Sequence, residues 1–149
     1  MSDFLLIHGA AHGAWCWHRV LPALQALGHS ARAIDLPSHG DDTTPPDQVT
    51  LDRYADAILA ALATHSTPEP TILVGHSMGG FPITAAAQKA PDHIAALVYL
   101  CAYLPRPGMT LAEMRKAGPR QPLAGSFQID PTRTSFTFDP ALAPALFYH

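Results

Sequence analysis

The sequence predicts an α/β domain in which a parallel sheet carries helices on both faces. Over the first 104 of its 149 residues, short apolar segments alternate with segments whose apolar residues recur at helical spacing. The short segments are continuously apolar and do not alternate with polar residues, which is typical of strands buried on both faces. Strands that alternate with helices in this way are typical of a parallel sheet, because each helix carries the chain back across the sheet.

Four strands are predicted, and three of them run directly into a turn-forming residue. They cover residues 4–7, 31–36, 71–74 and 94–100. The first ends at His8-Gly9, the second at Pro37 and the third at Gly75. Glycine and proline interrupt regular structure, so a loop is expected after each of these strands.

Three helices are predicted between the strands, over residues 15–27, 51–63 and 78–89. Gly28 is expected to end the first helix as its C-terminal cap. Thr50 is expected to cap the start of the second, with Arg53 in place of the glutamate of a full capping box. Residues 41–48 are rich in aspartate, threonine and proline, which predicts a loop.

From residue 105 onward the chain is broken too often for another strand–helix unit. The breaking residues are Pro105, Pro107, Gly108, Gly118, Pro119, Pro122 and Gly125. Alternating polarity predicts a short strand over residues 134–138, and Asp139 with Pro140 is expected to begin a helix over residues 140–148. We interpret residues 1–104 as the N-terminal part of the core and residues 105–149 as the start of a cap or lid.

Composition and charge exclude several classes of protein. A net charge of −3 leaves no basic surface of the kind that binds nucleic acid. The apolar runs are far shorter than the roughly 20 residues that a membrane helix needs. An apolar content of 48% is too high for a disordered chain. Asp3 stands where a secretory signal peptide would begin, so we expect a cytoplasmic protein with no nucleic-acid or membrane partner.

Cysteine and histidine spacing predicts neither a metal site nor a cofactor. Two cysteines are too few for a disulfide framework or a zinc knuckle. Cys101, at the end of the last predicted strand, is expected to be a buried, small apolar residue. His8, His12 and His18 lie close together, but glycines between them favour a loop over a helix that would align them.

The strongest chemical motif is G-x-S-x-G at residues 75–79, with the serine at position 77. It follows a predicted strand and opens a predicted helix, the context in which this motif holds an exposed serine on a strained turn. Glycines at both ends let strand and helix approach closely, and a helix N-terminus favours developing negative charge. We interpret Ser77 as a nucleophile, which needs a general base to become reactive.

A second motif, HGAAHG at residues 8–13, lies between the first strand and the first helix. A serine that attacks a carbonyl carbon needs two backbone N–H groups directed at the oxyanion that forms. Met78, the residue after the nucleophile, is expected to supply one N–H group. Ala10 is the candidate for the other, so the two motifs together predict acyl-transfer chemistry.

Residues 4–104 resemble the α/β-hydrolase fold family, in particular its branch of plant methylesterases, hydroxynitrile lyases and similar bacterial esterases. The segments that carry the resemblance are His8-Gly9-Ala10, His12-Gly13-Ala14-Trp15-Cys16-Trp17, Leu27-Gly28-His29, Ile34-Asp35-Leu36 and Val74-Gly75-His76-Ser77-Met78-Gly79-Gly80. The resemblance implies Ser77 as nucleophile and the N–H groups of Ala10 and Met78 as oxyanion hole. Lyases of this branch tend to carry a hydroxyl residue after His8 and an acidic residue before the serine. Gly9 and His76 stand there in this chain, which favours ester hydrolysis.

The resemblance also implies a catalytic acid and then a histidine later in the chain than the serine, and we expect both beyond residue 149. His76 would point away from Ser77, because successive residues at such a turn point apart. His93 precedes the strand at the opposite end of the sheet. Asp35 lies on the serine's side but has no histidine partner that the sequence identifies. His149 is terminal, and its position assigns it no role.

The last predicted strand supports the same expectation. Residues 94–100 would form an apolar strand at an open edge of the sheet, which is an aggregation hazard. The resemblance implies that two further strands cover this edge. We therefore expect a native protein longer by about 100 residues, the length that two further strand–helix units and the rest of a lid need.

The resemblance implies a substrate pocket between the core and the lid, with His12, Trp15, Tyr103 and Phe127 as candidate lining residues. The predicted function is that of a cofactor-free serine esterase whose partner is a small-molecule ester, and a homodimer is one assembly considered. Two other functions stay open. One is cyanohydrin cleavage in the manner of hydroxynitrile lyases, and the other is non-catalytic binding of a small ligand.

Overall fold

The computed structural model describes residues 1–64 and 70–148. Four strands form one sheet: β1 Asp3–Ile7, β2 Ser30–Ile34, β3 Thr71–His76 and β4 Ile94–Leu100. Their order across the sheet is β2-β1-β3-β4, and every neighbouring pair is parallel. The predicted fold class is therefore confirmed.

Helices cover both faces of this sheet: α1 Val20–Ala26, α2 Leu51–Ala63 and α3 Gly80–Lys89. Alternate residues of a strand point to opposite faces, and β1 shows the consequence. Leu5 and Ile7 are buried in one core with Ile58 of α2. Leu6, between them, is buried on the other face with Trp17, in a second core that includes residues of α1.

The first predicted helix is divided in two. Residues 14–17 form a short 3₁₀ turn, and α1 starts only at Val20. Pro22 explains the break, because proline has no N–H group to bond the carbonyl four residues earlier and is tolerated only in a helix's first turn.

Both predicted helix caps are present. Gly28 follows α1 with φ +83°, a left-handed conformation that favours glycine, and its N–H group donates to the carbonyl of Gln25 at 2.9 Å. The Thr50 side chain accepts a hydrogen bond from the N–H group of Arg53 at 3.1 Å, so α2 begins at the predicted residue.

Three adjacent strands are tied together at their N-terminal ends by the carboxylate of Asp3. It accepts two hydrogen bonds from the Arg32 guanidinium of β2, at 2.8 and 2.7 Å, and one from the Thr71 hydroxyl of β3, at 2.6 Å. Burial raises the pKa of Asp3, but these hydrogen bonds outweigh burial and the net shift is downward. The carboxylate therefore stays ionised and holds the end of the sheet opposite to Ser77.

The prediction that all strands are buried on both faces is right for β1 and β3 and wrong for β2 and β4. Every residue of β2 is only partly buried. Val98 and Leu100 of β4 remain 42% and 45% exposed. The physical reason is that β2 and β4 are the two edge strands of this sheet, and no described strand pairs with the outer side of either. Cys101 directly follows β4 and is exposed, with φ +45°, so the expectation of a buried thiol is also wrong.

The segment after residue 104 contains two helices and a hairpin: α4 Leu111–Ala117, β5 Phe127–Ile129, β6 Phe136–Phe138 and α5 Ala143–Phe147. β6 lies within the predicted strand, whereas α5 starts three residues after Pro140. The Asp139 side chain instead accepts a hydrogen bond from the Ala141 N–H group at 2.9 Å, within the turn that precedes α5.

Helix α4 is absent from the predicted elements, although the sequence carries a signal for it. Thr110 and Glu113 form a complete capping box, in which the threonine side chain accepts from the N–H group of Glu113 and the carboxylate accepts from that of Thr110. Within the described ranges, no helix has the length and apolar character needed to cross a membrane.

Candidate active site

Ser77 lies at the tight turn between β3 and α3, with a short 3₁₀ turn over residues 77–79 before α3 begins. Its φ is +53°, a left-handed conformation that costs a non-glycine residue about 1–2 kcal/mol. Such strain persists only where the surrounding structure imposes it, and it is concentrated at functional sites. The half-buried side chain forms no hydrogen bond with any other described residue.

The strained turn is held by close contact between backbone segments at both flanking glycines. A Cβ atom on Gly75 would lie 2.5 Å from the carbonyl oxygen of Gly79. A Cβ atom on Gly79 would lie 2.8 Å from the carbonyl oxygen of Ile7 and 2.9 Å from that of His8. A larger side chain at Gly75 would push β3 away from Gly79, and one at Gly79 would push the serine turn away from β1. The two glycines of the motif therefore serve packing.

The loop that carries Ala10 passes directly beside the serine. A Cβ atom on Gly9 would lie only 3.0 Å from the Cβ atom of Ser77. Ala10 directly follows Gly9, the residue that lies beside Ser77. Met78 directly follows Ser77. The two candidate oxyanion donors thus belong to the two backbone segments that meet at the serine.

His8 is fully buried and holds this loop in place through both of its ring nitrogens. Its Nδ1 atom lies 2.8 Å from the carbonyl oxygen of Gly9, and its Nε2 atom accepts from the N–H group of Leu36 at 3.0 Å. Nδ1 must therefore carry the ring proton, because a carbonyl oxygen only accepts. Burial lowers the pKa of His8 to about 4. The ring is neutral and fully bonded, so it is not a base for Ser77.

The structure brings no other described histidine into a hydrogen bond with Ser77. His76 turns its ring edge-on to Trp17, 6.3 Å away between centroids, and burial lowers its pKa. His93 lies in a 3₁₀ turn before β4, at the far end of the sheet. His149 lies outside the described residues. The described part of the chain therefore contains the candidate nucleophile Ser77 and the loops beside it, without an assembled base.

Asp35 has a role that the sequence analysis did not assign. Its carboxylate accepts from the N–H group of Ala14 at 2.6 Å and from that of Asp41 at 3.1 Å. One of these groups belongs to the segment after the Ala10 loop and the other to the loop after β2. Asp35 thus joins two loops. The sequence gives no signal for this role, because both donors are backbone N–H groups, which nearly every residue type has.

A cavity of about 490 Å³ adjoins Ala10 and Met78. Among the four residues predicted to line a pocket, His12 and Trp15 lie in its wall, whereas Tyr103 and Phe127 do not. The candidate nucleophile Ser77 is not a wall residue either. Phe127 packs instead against Phe136 and Phe138. The cavity's further walls come from the loop after β2, from α2 and from the segment after residue 104, including Ser38, His39, Tyr54, Phe138, Phe147 and Tyr148.

These further wall residues have no local sequence signal, because they come together only when distant segments pack. The described residues contain no group of three or more histidine, cysteine, aspartate or glutamate side chains that could hold a metal ion. The site therefore offers the hydroxyl group of Ser77, on a strained turn, beside the two backbone segments that carry Ala10 and Met78. A partly aromatic cavity adjoins these two residues.

Known proteins similar to this chain include esterases and hydrolases. The family model described as alpha/beta hydrolase fold matches residues 4–134. The chain is 42% identical over 106 residues to methylesterase 2 of Arabidopsis thaliana. It is 43% identical over 106 residues to esterase PIR7B of Oryza sativa subsp. japonica. Each of these matches covers 70% of this chain and 40% of the relative. The crystal structure of a pyrethroid hydrolase matches with a TM-score of 0.80 at 30% identity, over 95% of this chain and 58% of that one. The chain thus spans less than half the length of these curated relatives.

Proposed function

The chain belongs to the α/β-hydrolase fold family, and we propose that the native protein is a cofactor-free serine esterase that hydrolyses a small carboxylic ester. Ser77 is the nucleophile, and the N–H groups of Ala10 and Met78 form the oxyanion hole. The match to methylesterase 2 covers 40% of that protein. We place the histidine base and the acid that orients it in the part of the native protein that corresponds to the unmatched remainder of methylesterase 2.

The proposed reaction proceeds in two steps. The Ser77 oxygen attacks the ester carbonyl carbon while the histidine takes the hydroxyl proton, and the carbonyl oxygen becomes an oxyanion held by the two N–H groups. The intermediate collapses, the alkoxide leaves with the proton from the histidine, and an acyl-enzyme remains. Water, deprotonated by the same histidine, then attacks the acyl carbon and releases the carboxylic acid and free Ser77.

One observation carries this proposal: Ser77 has φ +53° at a strand–helix turn that packs against the Ala10 loop. A strained backbone at a serine is unfavourable for folding, so a structure that imposes it supports a functional role. A serine that only ended a strand would not need two glycines packed against neighbouring carbonyl groups. The esterase names of the similar proteins support the same reaction class.

The cavity supports a small substrate with apolar groups. Its volume of about 490 Å³ is within the range of small-molecule sites, and its wall includes the aromatic rings of Trp15, Phe138 and Phe147. Because the cavity adjoins Ala10 and Met78, an acyl or alcohol group bound there would place its carbonyl near both donors.

The experiment is a p-nitrophenyl acetate assay with burst-phase detection on the full-length gene product and on its Ser77→Ala variant. We expect a burst of p-nitrophenol equal to the enzyme concentration, followed by slower turnover, because the acyl-enzyme forms before it is hydrolysed. Ser77→Ala should abolish both phases. Ser2→Ala, at the opposite end of β1, is the matched control and should retain them.

Three outcomes would overturn the proposal. Ester turnover that survives in Ser77→Ala would show that another group is the nucleophile. Tight binding of small esters without turnover by the full-length protein would show a binding protein, and cyanide release from cyanohydrins without ester turnover would show a lyase.

A further inference from the structure

We propose that His12 couples the segment after residue 104 to the loop of residues 8–13, as a positioning residue for the N–H group of Ala10. The inference rests on the proposed esterase function and adds to it a residue that controls the oxyanion hole. The Nδ1 atom of His12 lies 3.0 Å from the carbonyl oxygen of Ala10, and its Nε2 atom lies 2.9 Å from the hydroxyl oxygen of Tyr148. The imidazole of His12 thus links Ala10 to Tyr148, a residue 136 positions after His12 in the chain.

The direction of both hydrogen bonds follows from the chemistry of the partners. A carbonyl oxygen only accepts, so Nδ1 of His12 must carry the ring proton and donate the hydrogen bond to the Ala10 carbonyl. In the neutral ring Nε2 is then an acceptor, and the Tyr148 hydroxyl donates to it. Burial raises the pKa of Tyr148, so its hydroxyl keeps this proton at neutral pH. The Ala10 carbonyl therefore selects the ring form, and the hydrogen bond from Tyr148 stabilises that form.

Two imidazoles hold the two consecutive peptide groups on either side of Ala10. The Gly9 carbonyl accepts from Nδ1 of His8 at 2.8 Å, and the Ala10 carbonyl accepts from Nδ1 of His12. In a trans peptide the C=O group and the following N–H group point in opposite directions. Fixing the Gly9 carbonyl therefore directs the Ala10 N–H group, and fixing the Ala10 carbonyl prevents that peptide pair from rotating.

The loop needs such restraint, because the next residue is strained. Ala11 has φ +57°, a conformation that costs an alanine about 1–2 kcal/mol and that relaxes unless neighbouring contacts hold it. His12 supplies these contacts from the side of the cavity. Without the His12 bond, Ala11 can relax and the Ala10 carbonyl can turn.

The ring of His12 is itself held from two sides. It stacks on Trp15 with centroids 5.4 Å apart and an interplanar angle of 23°, and it meets Phe147 edge-on at 5.3 Å. Trp15 belongs to the segment after β1, whereas Phe147 ends α5. His12 is therefore ordered best when α5 and Tyr148 lie over the cavity, as they do in this structure. Neither ring nitrogen is free for Ser77, so His12 positions and does not act as the base.

Substitutions in the full-length protein separate the two bonds of His12. Tyr148→Phe removes the hydroxyl and keeps the ring. His12→Asn keeps a donor near the Nδ1 position, which still reaches Ala10, but loses the bond to Tyr148. His12→Phe keeps an aromatic ring and loses both bonds. Tyr99→Phe, which removes a hydroxyl that bonds Thr84 away from the cavity, is the matched control.

We expect kcat to fall by about 5-fold in Tyr148→Phe and in His12→Asn, and by about 100-fold in His12→Phe, with KM changed by less than about 2-fold. The oxyanion forms only in the transition state, so a misplaced donor lowers kcat and spares KM. Tyr148→Phe added to His12→Asn should lower kcat no further, because the bond is already lost. A purely structural loss of packing would instead give additive effects.

A measurement that needs no turnover keeps this inference separate from the proposed function. The backbone order parameters of Ala10 and Ala11 from ¹⁵N relaxation should fall in Tyr148→Phe and stay unchanged in Tyr99→Phe. If the order parameters fall but the wild type cleaves no ester, the coupling stands and the esterase function is wrong. If the wild type cleaves esters but Tyr148→Phe and His12→Asn match it in kcat and in order parameters, the coupling is wrong.

Discussion

The Nε2 atom of His8 accepts a hydrogen bond from the main-chain N–H group of Leu36, 3.0 Å away, and both residues are fully buried. This contact joins the loop after β1 to the loop after β2, the two loops that Asp35 also connects. The same ring donates to the Gly9 carbonyl beside Ser77. The neutral imidazole of His8 therefore holds the loop beside Ser77 against the loop after β2.

This buried ring predicts that acid weakens the fold. The pKa of His8 is lowered from 6.5 to about 4, mainly by burial, so between these values the unfolded chain binds a proton that the folded chain excludes. The contribution of neutral His8 to the free energy of unfolding is fully present above pH 6.5 and is lost as the pH falls through 4. The full loss is about 3 kcal/mol. Urea unfolding at pH 4 to 7 measures this loss. His8→Gln should be less stable at pH 7 with a flatter pH dependence, and an equally steep curve would contradict the assignment.

The strained backbone of Ser77 predicts that glycine stabilises this position. With φ +53°, Ser77→Gly should be more stable than Ser77→Ala by about 1 kcal/mol, because glycine adopts this conformation without strain. Thermal unfolding of both inactive variants measures the difference. Ser135, whose φ is not positive, is the matched position, and there alanine should be more stable than glycine. Equal stability of the two Ser77 variants would mean that the turn relaxes in solution.

The close contact at Gly79 predicts that one methyl group disrupts the serine turn. Gly79→Ala should lose about 2–3 kcal/mol of stability, since its Cβ atom would lie 2.8 Å from the Ile7 carbonyl oxygen. Gly118→Ala is the control, because its Cβ atom would come no closer than 3.3 Å to its neighbours, and we expect a change of about 0.5 kcal/mol or less. Denaturant unfolding compares the two, and similar losses would show that the contact at Gly79 yields easily.

The two acceptor bonds of Asp35 predict a loss of both stability and substrate affinity in Asp35→Asn. The new amide group would face one of two N–H donors, Ala14 or Asp41, and leave it without an acceptor, at a cost of about 1–3 kcal/mol. Because both loops contribute to the cavity wall, KM for the ester should rise several-fold. The exposed Asp92 offers the control variant Asp92→Asn. Unchanged unfolding and KM in Asp35→Asn would show that Asp35 does not join the loops in solution.

Local patterns were enough to predict the elements that position the candidate site. The limits of β4 agree with the prediction residue for residue, and Gly28 and Thr50 cap their helices as expected. The serine turn followed from the spacing of Gly75 and Gly79 around Ser77. In these cases the decisive interactions lie within a few residues, so the sequence records them directly.

The errors have a different origin. The burial of β4 was overestimated because exposure depends on what lies beside a strand, and an apolar run cannot report that. The capping box at Thr110 was overlooked among the prolines and glycines around it. The predicted lining by Tyr103 and Phe127 came from resemblance alone, and the structure places neither side chain in the wall of the cavity.

Local sequence patterns are sufficient to define the alternation of strands and helices, the strained turn at Ser77 and the loop beside it. These features depend on φ preferences, on helix and strand periodicity and on residues without a Cβ atom, all of which are local. Only the tertiary structure decided that His8 bonds Leu36, that Asp35 joins two loops, and that His12 meets Tyr148. Each of these contacts joins segments far apart in the chain, and the free energy that selects them comes from packing the whole sheet, its helices and the segment after residue 104.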